Sequence, residues 1–192
     1  LSPASAGDNV QVIGAVGGAV TFRSHNTDGY TTLWSFGNEL IVTVAFEDPP
    51  QPVFSKDKYR TRFTVSEKGR AFSISQLSME DAGTYSVTIR EKTSTFTLLV
   101  YRELAEPRVT CEAQDCSDRS CVFSLHCSVP GNGFGNISYT WRVRNWLWEW
   151  ESIVLLVHKS SQDEPEPVTC TAQNAVSSRN VTVTIPGVLC SG

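Results

Sequence analysis

Cysteine is missing from the first hundred residues of this 192-residue chain; all six, Cys111, Cys116, Cys121, Cys127, Cys170 and Cys190, fall in the second half. That asymmetry implies two modules, only one of which can be stapled covalently. No apolar run approaches the roughly eighteen residues of a membrane span. Leu1 opens no signal-peptide pattern, so the expectation is a mature or excised extracellular portion whose membrane anchor lies elsewhere. Positive charge is scarce too: the net charge is −4, the pI is near 5.4, and Lys and Arg are scattered. The basic footprint needed for nucleic acid or anionic lipid is therefore lacking. The Cys-x2-Cys pairs of structural zinc are also missing. Close spacing of Cys111, Cys116, Cys121 and Cys127 thus points to disulfides and not to a metal.

An even cysteine count beside two sequons, Asn136-Ile-Ser138 and Asn180-Val-Thr182, fits an oxidising compartment and a glycoprotein. Helical periodicity is hard to find. Short alternating apolar runs bounded by Gly, Asn, Asp, Ser and Pro recur instead, and the fold reads as all-β. In the first half the pattern predicts strands at residues 9–13, 19–23, 31–36, 40–46, 62–66, 71–74, 84–90 and 95–100. In the second half it predicts strands at 108–111, 122–129, 138–143, 153–157, 168–173 and 180–184. Charges and Pro107 break the alternation between them, which sets the expected domains at 1–103 and 104–192. The reading is two tandem immunoglobulin-like sandwiches. The first is V-type without an inter-sheet disulfide; the second is C2-type with disulfides.

The landmarks agree with that reading. Asp81-Ala-Gly-Thr-Tyr85 is the run that usually leads, two residues on, to a disulfide cysteine, yet Val87 stands there and Ser24 occupies the expected place of its partner. Omitting the bridge forgoes roughly 3–4 kcal/mol of cross-link stabilisation, so packing must compensate. Trp34, Phe36, Tyr85, Val87 and Ile89 are the expected core, with the Tyr85 hydroxyl bonded to backbone at the preceding corner and Asp81 paired with Arg62. In the second module Cys127 and Cys170 bracket Trp141, the Cys…Trp…Cys order of an immunoglobulin domain, although Val168 stands where a corner Tyr is usual. Trp146, Trp148 and Trp150 recur at period two and are expected to cover a sandwich edge.

Catalysis has no motif to rest on. Gly131-Asn-Gly-Phe-Gly135 precedes no helix, so it reads as a turn and not as a dinucleotide loop. His25, His126 and His158 have no nucleophile or metal partner by spacing. No enzyme activity, cofactor, metal or small-molecule substrate is expected.

These features together resemble the signalling lymphocytic activation molecule (SLAM) family of leukocyte receptors. The resemblance is carried by the cysteine-free first module, Met79-Glu-Asp-Ala-Gly-Thr-Tyr85, the junction Val100-Tyr-Arg-Glu-Leu-Ala-Glu-Pro107, Cys121-Val-Phe-Ser-Leu-His-Cys127, Ile137-Ser-Tyr-Thr-Trp141 and Cys170-Thr-Ala-Gln-Asn174. It implies the bridges Cys127–Cys170 and Cys121–Cys190, leaving Cys111 with Cys116. It further implies that one sheet of the first domain meets the V-type domain of a like or related receptor in trans. Strand alternation then selects the residues facing that partner: Leu33, Ser35, Ser86, Thr88, Arg90, Thr97 and Leu99, joined by Glu39, Thr43 and Lys92. The implied function is a cell-surface adhesion and immune receptor that binds homophilically. The alternative is a heterophilic ligand, including a secreted or virus-encoded decoy.

Overall fold

The structure is a computed structural model that describes residues 9–26, 29–45, 47, 49, 51–143, 146–149, 154–160 and 166–185, the segments 146–149 and 154–160 by backbone alone. The chain divides into two compact units, Leu1–Tyr101 and Arg102–Gly192. Among the described residues there is no α-helix, only short 3₁₀ turns.

The first unit holds β1 (Asn9–Ala15), β2 (Val20–Arg23), β3 (Thr32–Phe36), β4 (Glu39–Ala45), β5 (Gln51–Phe54), β6 (Phe63–Ser66), β7 (Ala71–Ile74), β8 (Gly83–Ile89) and β9 (Lys92–Tyr101). They form a six-stranded sheet in the order β1-β9-β8-β3-β4-β5 and a three-stranded sheet β2-β7-β6. Only β1 and β9 run parallel within these sheets. This is the V-type sandwich. Alternation buries Trp34, Val42, Val44, Tyr85, Val87, Ile89, Phe96 and Leu98 from one sheet against Phe22, Phe63, Phe72 and Ile74 from the other.

Aromatic rings occupy the space where a bridge would otherwise run. Phe22 lies 5.0 Å, centroid to centroid, from both Tyr85 and Phe96, and Phe72 lies 5.2 Å from Trp34. Such pairs contribute about 0.5–1.5 kcal/mol each beyond the area they bury, so a few of them match what the missing cross-link would supply. Ser24 does not take part as expected. It lies beyond the end of β2, half-buried, accepting the Asn26 N–H at 3.2 Å, and Phe22 is the β2 residue that shares the core with Val87.

Gly69 closes this core. Its carbonyl accepts the Trp34 indole N–H at 2.9 Å and the Thr32 hydroxyl at 3.0 Å, satisfying both buried donors. The residue has φ +85, and a Cβ there would sit 2.9 Å from both Thr32 Oγ1 and a Val44 methyl. Gly69→Ala is therefore expected to destabilise the first unit by about 2–3 kcal/mol, combining left-handed backbone strain with overpacking. Urea unfolding checks this; a change under about 0.5 kcal/mol would contradict it.

At the base of the first unit, Arg62 donates to both carboxylate oxygens of Asp81, at 2.9 and 2.7 Å, and the Ser78 N–H donates to the same carboxylate at 2.8 Å. The Tyr85 hydroxyl donates to the Asp81 carbonyl at 2.7 Å. Burial pushes the Asp81 pKa up, but the hydrogen bonds from Arg62 and Ser78 outweigh it and hold the carboxyl below its ordinary value. Because the folded carboxyl is more acidic than the unfolded one, its contribution is complete above about pH 4 and is lost as pH falls through the folded value. Asp81→Asn is expected to cost about 2 kcal/mol at pH 7, less than for a fully buried pair since Arg62 keeps some exposure. The variant's penalty should shrink toward zero on acidification below about pH 4. Denaturation midpoints across pH measure this, and a penalty constant down to pH 2 would refute it.

The second unit holds β10 (Arg108–Ser117), β11 (Ser120–Ser128), β12 (Ser138–Val143), β13 (Trp146–Glu149), β14 (Val154–Ser160), β15 (Glu166–Gln173) and β16 (Ser178–Ile185). Its sheets run β10-β11-β14 and β13-β12-β15-β16, the C2-type arrangement. Cys127–Cys170 ties the two sheets together beside Trp141, and all three are fully buried. Unlike Trp34, Trp141 buries its indole N–H without a partner among the described residues. A satellite cluster of Leu104, Phe134 and Ala172 sits under the Gly131–Gly135 segment, where Gly131, Gly133 and Gly135 all have positive φ and no helix follows.

Two expected bridges are corrected. Cys116 pairs with Cys121, so neither Cys111–Cys116 nor Cys121–Cys190 forms. The reason is strand geometry. Cys111 and Cys116 lie on the same extended strand, about 16 Å apart at the usual rise, far beyond the reach of a disulfide. Cys116 and Cys121 instead face each other directly across the β10–β11 hairpin. Cys111 is disulfide-bonded, and Cys190 lies outside the described residues. The hairpin reaches further toward its turn than expected on both strands, because residues 112–117 of β10 are exposed throughout and carry no apolar alternation. Trp146 and Trp148 belong to the edge strand β13, opposite Val143 and Trp141, but their side chains and Trp150 lie outside the described residues.

Candidate functional site: the outer face of the six-stranded sheet

The face of the large sheet turned away from the core is built by strand parity. Leu33, whose backbone neighbours Thr32 and Trp34 are buried, points to solvent, and the register extends from it sideways: Thr93, Thr88, Leu33, Thr43 and Val53 form one row across β9, β8, β3, β4 and β5. The next row runs Thr95, Ser86, Ser35 and Leu40, and beyond it Thr97 pairs with Thr84 and Gln11, and Leu99 with Ile13.

Most of this face is short hydroxyl side chains. Thr88 and Thr93 share a hydrogen bond of 2.9 Å between their hydroxyls, and Thr97 donates to Asn9 Oδ1 at 3.1 Å. These groups satisfy one another locally and leave a low, smooth surface. Large apolar side chains rise from it, Leu33 36%, Leu40 38% and Val53 68% exposed on the β3-β4-β5 side, and Ile13 44% exposed on the edge strand β1. At the end of the sheet the Arg90 guanidinium stacks 4.0 Å over the Tyr30 ring, an arrangement that fixes a cation without desolvating it.

The expected residues separate into two groups. Leu33, Ser35, Thr43, Ser86, Thr88, Thr97 and Leu99 share the face. Arg90 lies beyond β8 in a two-residue turn with φ +58, and Lys92 opens β9 opposite the inward Ile89. Glu39 leaves the face altogether. A bulge in the β3–β4 pairing shifts the parity of β4, burying Ile41 along with Val42, turning Leu40 outward and setting Glu39 opposite Phe36. Glu39 accepts from Lys56 Nζ at 2.6 Å and from the Tyr59 hydroxyl, and these hydrogen bonds lower its pKa. Sequence alternation missed Leu40 because of that bulge. It missed Val53 because Pro52 disguises β5, although proline is ordinary on an edge strand. Both sequons lie in the second unit: Asn136 is exposed just before β12, and Asn180 is exposed on β16.

Several known proteins are similar. Human T-lymphocyte surface antigen Ly-9 is 32% identical over 182 residues, covering 86% of this chain and 27% of that protein. Human SLAM family member 7 is 29% identical over 72% of the chain and 43% of its own length, and mouse SLAM family member 5 is 30% identical over 74% and 45%. The chain thus spans less than half of each of these relatives. Among solved structures, the CD2-binding domain of CD58 superposes with a TM-score of 0.65 at 17% identity, over 93% of this chain and 98% of that one, a likeness of fold. No protein-family model matches. A bridge-free V-type sandwich followed by a disulfide-bonded C2-type one, with these relatives along most of its length, makes the chain a member of the SLAM family of the immunoglobulin superfamily.

Proposed function

We propose that this chain is the ectodomain of a leukocyte surface receptor whose outer sheet face in the first unit docks on the same face of a like molecule on an opposing cell. The reading is carried by one observation: Leu33, Leu40 and Val53 stand exposed in a field of hydroxyls, on the half of the chain that has no sequon. The apolar trio can desolvate on contact, and the surrounding Thr and Ser can exchange water for cross-interface hydrogen bonds. A patch of this size and composition suits a reversible contact at the small end of specific interfaces, below about 1,200 Å². Its surface position in the cell is supported by the relatives, of which Ly-9 is by name a surface antigen. Buried cystine and sequons support an extracellular setting.

The test is binding of the soluble chain to immobilised chain. Saturable, rapidly reversible binding that is lost in Thr88→Arg is the expected result. Absence of self-binding together with saturable binding to another V-type domain would replace the homophilic reading with a heterophilic one.

A further inference from the structure

We propose that the Cys116–Cys121 bridge is a thiol–disulfide exchange site, open to an extracellular dithiol while the Cys127–Cys170 bridge stays closed. Access separates the two. Cys116 is exposed and Cys121 half-buried at the outer end of the β10–β11 hairpin, whereas Cys127 and Cys170 have no exposed surface. Exchange requires a thiolate to approach a sulfur, so of these two bridges the outer one can react in the folded chain and the buried one cannot.

The hairpin does not depend on this bridge for its shape. Ser117 pairs with Ser120, Asp115 with Val122 and Gln114 with Phe123, and the Ser120 hydroxyl donates to the Ser117 carbonyl at 3.1 Å. Both turn residues, Asp118 and Arg119, have positive φ, as the twist of a two-residue hairpin prefers. The bridged cysteines are separated by 5 in sequence against 43 for Cys127 and Cys170, and a cross-link that closes so short a loop constrains the unfolded chain least. Reduction can therefore proceed without unfolding.

The chemistry has a positioned helper. The Gln114 side-chain amide donates toward Cys116 Sγ at 3.2 Å and stands 4.0 Å from Cys121 Sγ. A donor on sulfur favours thiolate over thiol, and a better leaving thiolate speeds exchange. In the step assigned here, one thiolate of the dithiol attacks Cys121 Sγ and forms a mixed disulfide. The Cys116–Cys121 bond breaks, and Cys116 leaves as the thiolate that Gln114 holds. The second thiolate of the dithiol then attacks the mixed disulfide and releases Cys121. Two electrons pass to the cystine, and the dithiol becomes a disulfide. Gln114 is a positioning residue in this scheme.

Brief exposure of the folded chain to limiting dithiothreitol, followed by alkylation and peptide mapping, tests the assignment. Cys116 and Cys121 should be alkylated at least about tenfold faster than Cys127 and Cys170, with circular dichroism unchanged. Gln114→Leu should slow that alkylation about threefold or more without shifting the melting temperature, and Gln114→Asn should restore part of the rate. Alkylation of Cys127 or Cys170 as early as Cys116, or loss of the folded signal with the first alkylation, would overturn the site. An unchanged rate in Gln114→Leu would overturn the assigned step.

Discussion

Replacing Cys127 and Cys170 together by Ala is expected to cost the second unit roughly 4 kcal/mol, the chain-entropy value for a loop whose ends are 43 residues apart. The bridge lies wholly within the core, Trp141 sits opposite Cys170 in register, and neither sulfur nor indole reaches water. Removing the cross-link leaves Trp141 against two smaller side chains, with an indole N–H that already lacks a partner among the described residues. The packing loss adds to the lost constraint. Most of the stability of a domain of this size can go with such a change. The first unit has its own core and no cysteine, so it should keep its stability. Hydrogen exchange read separately over 9–101 and 102–185 distinguishes the units. A double variant that loses less than about 1 kcal/mol in the second unit would show that packing, and not the bridge, holds it.

The second large effect concerns association. Leu33→Arg places a cation in the row between Thr88 and Thr43, where the side chain already faces solvent. Folding should be unaffected, because a long charged side chain on an exposed strand position is readily solvated. Binding should fall on the order of 30-fold or more, the loss typical of a central contact residue, compounded in a two-fold pairing by bringing two introduced cations close together. Val53→Arg should act likewise, and Glu39→Arg should not, since Glu39 lies off the face beside Lys56 and Tyr59. Equal losses in all of these variants would mean that the surface acts through general charge and not through this face.

Much of the fold was legible because two-residue alternation is a direct consequence of burying one face of a strand. Trp34, Tyr85, Val87 and Phe96 announce the inward parity of β3, β8 and β9, and the pattern needs no tertiary information. Parity fails where backbone geometry intervenes. One extra residue in β4 moved Glu39 off the face and Leu40 onto it. The disulfide partners were legible for Cys127 and Cys170, which flank a Trp, and illegible for Cys116 and Cys121. Those two meet only because a turn at Asp118 and Arg119 sets the hairpin register, and the exposed residues 112–117 around Cys116 carry no apolar alternation. Ser24 misled for a related reason: β2 ends one residue before it, so the inter-sheet position belongs to Phe22.

On this reading the outer face of the first unit's large sheet pairs with its own copy. Sedimentation equilibrium of the chain over a concentration series, beside Leu33→Arg under the same conditions, decides this. A reversible monomer–dimer equilibrium in the parent chain, with Leu33→Arg monomeric throughout, is the predicted result. A parent chain that stays monomeric at the highest concentration reached, or a dimer that Leu33→Arg leaves intact, would contradict it.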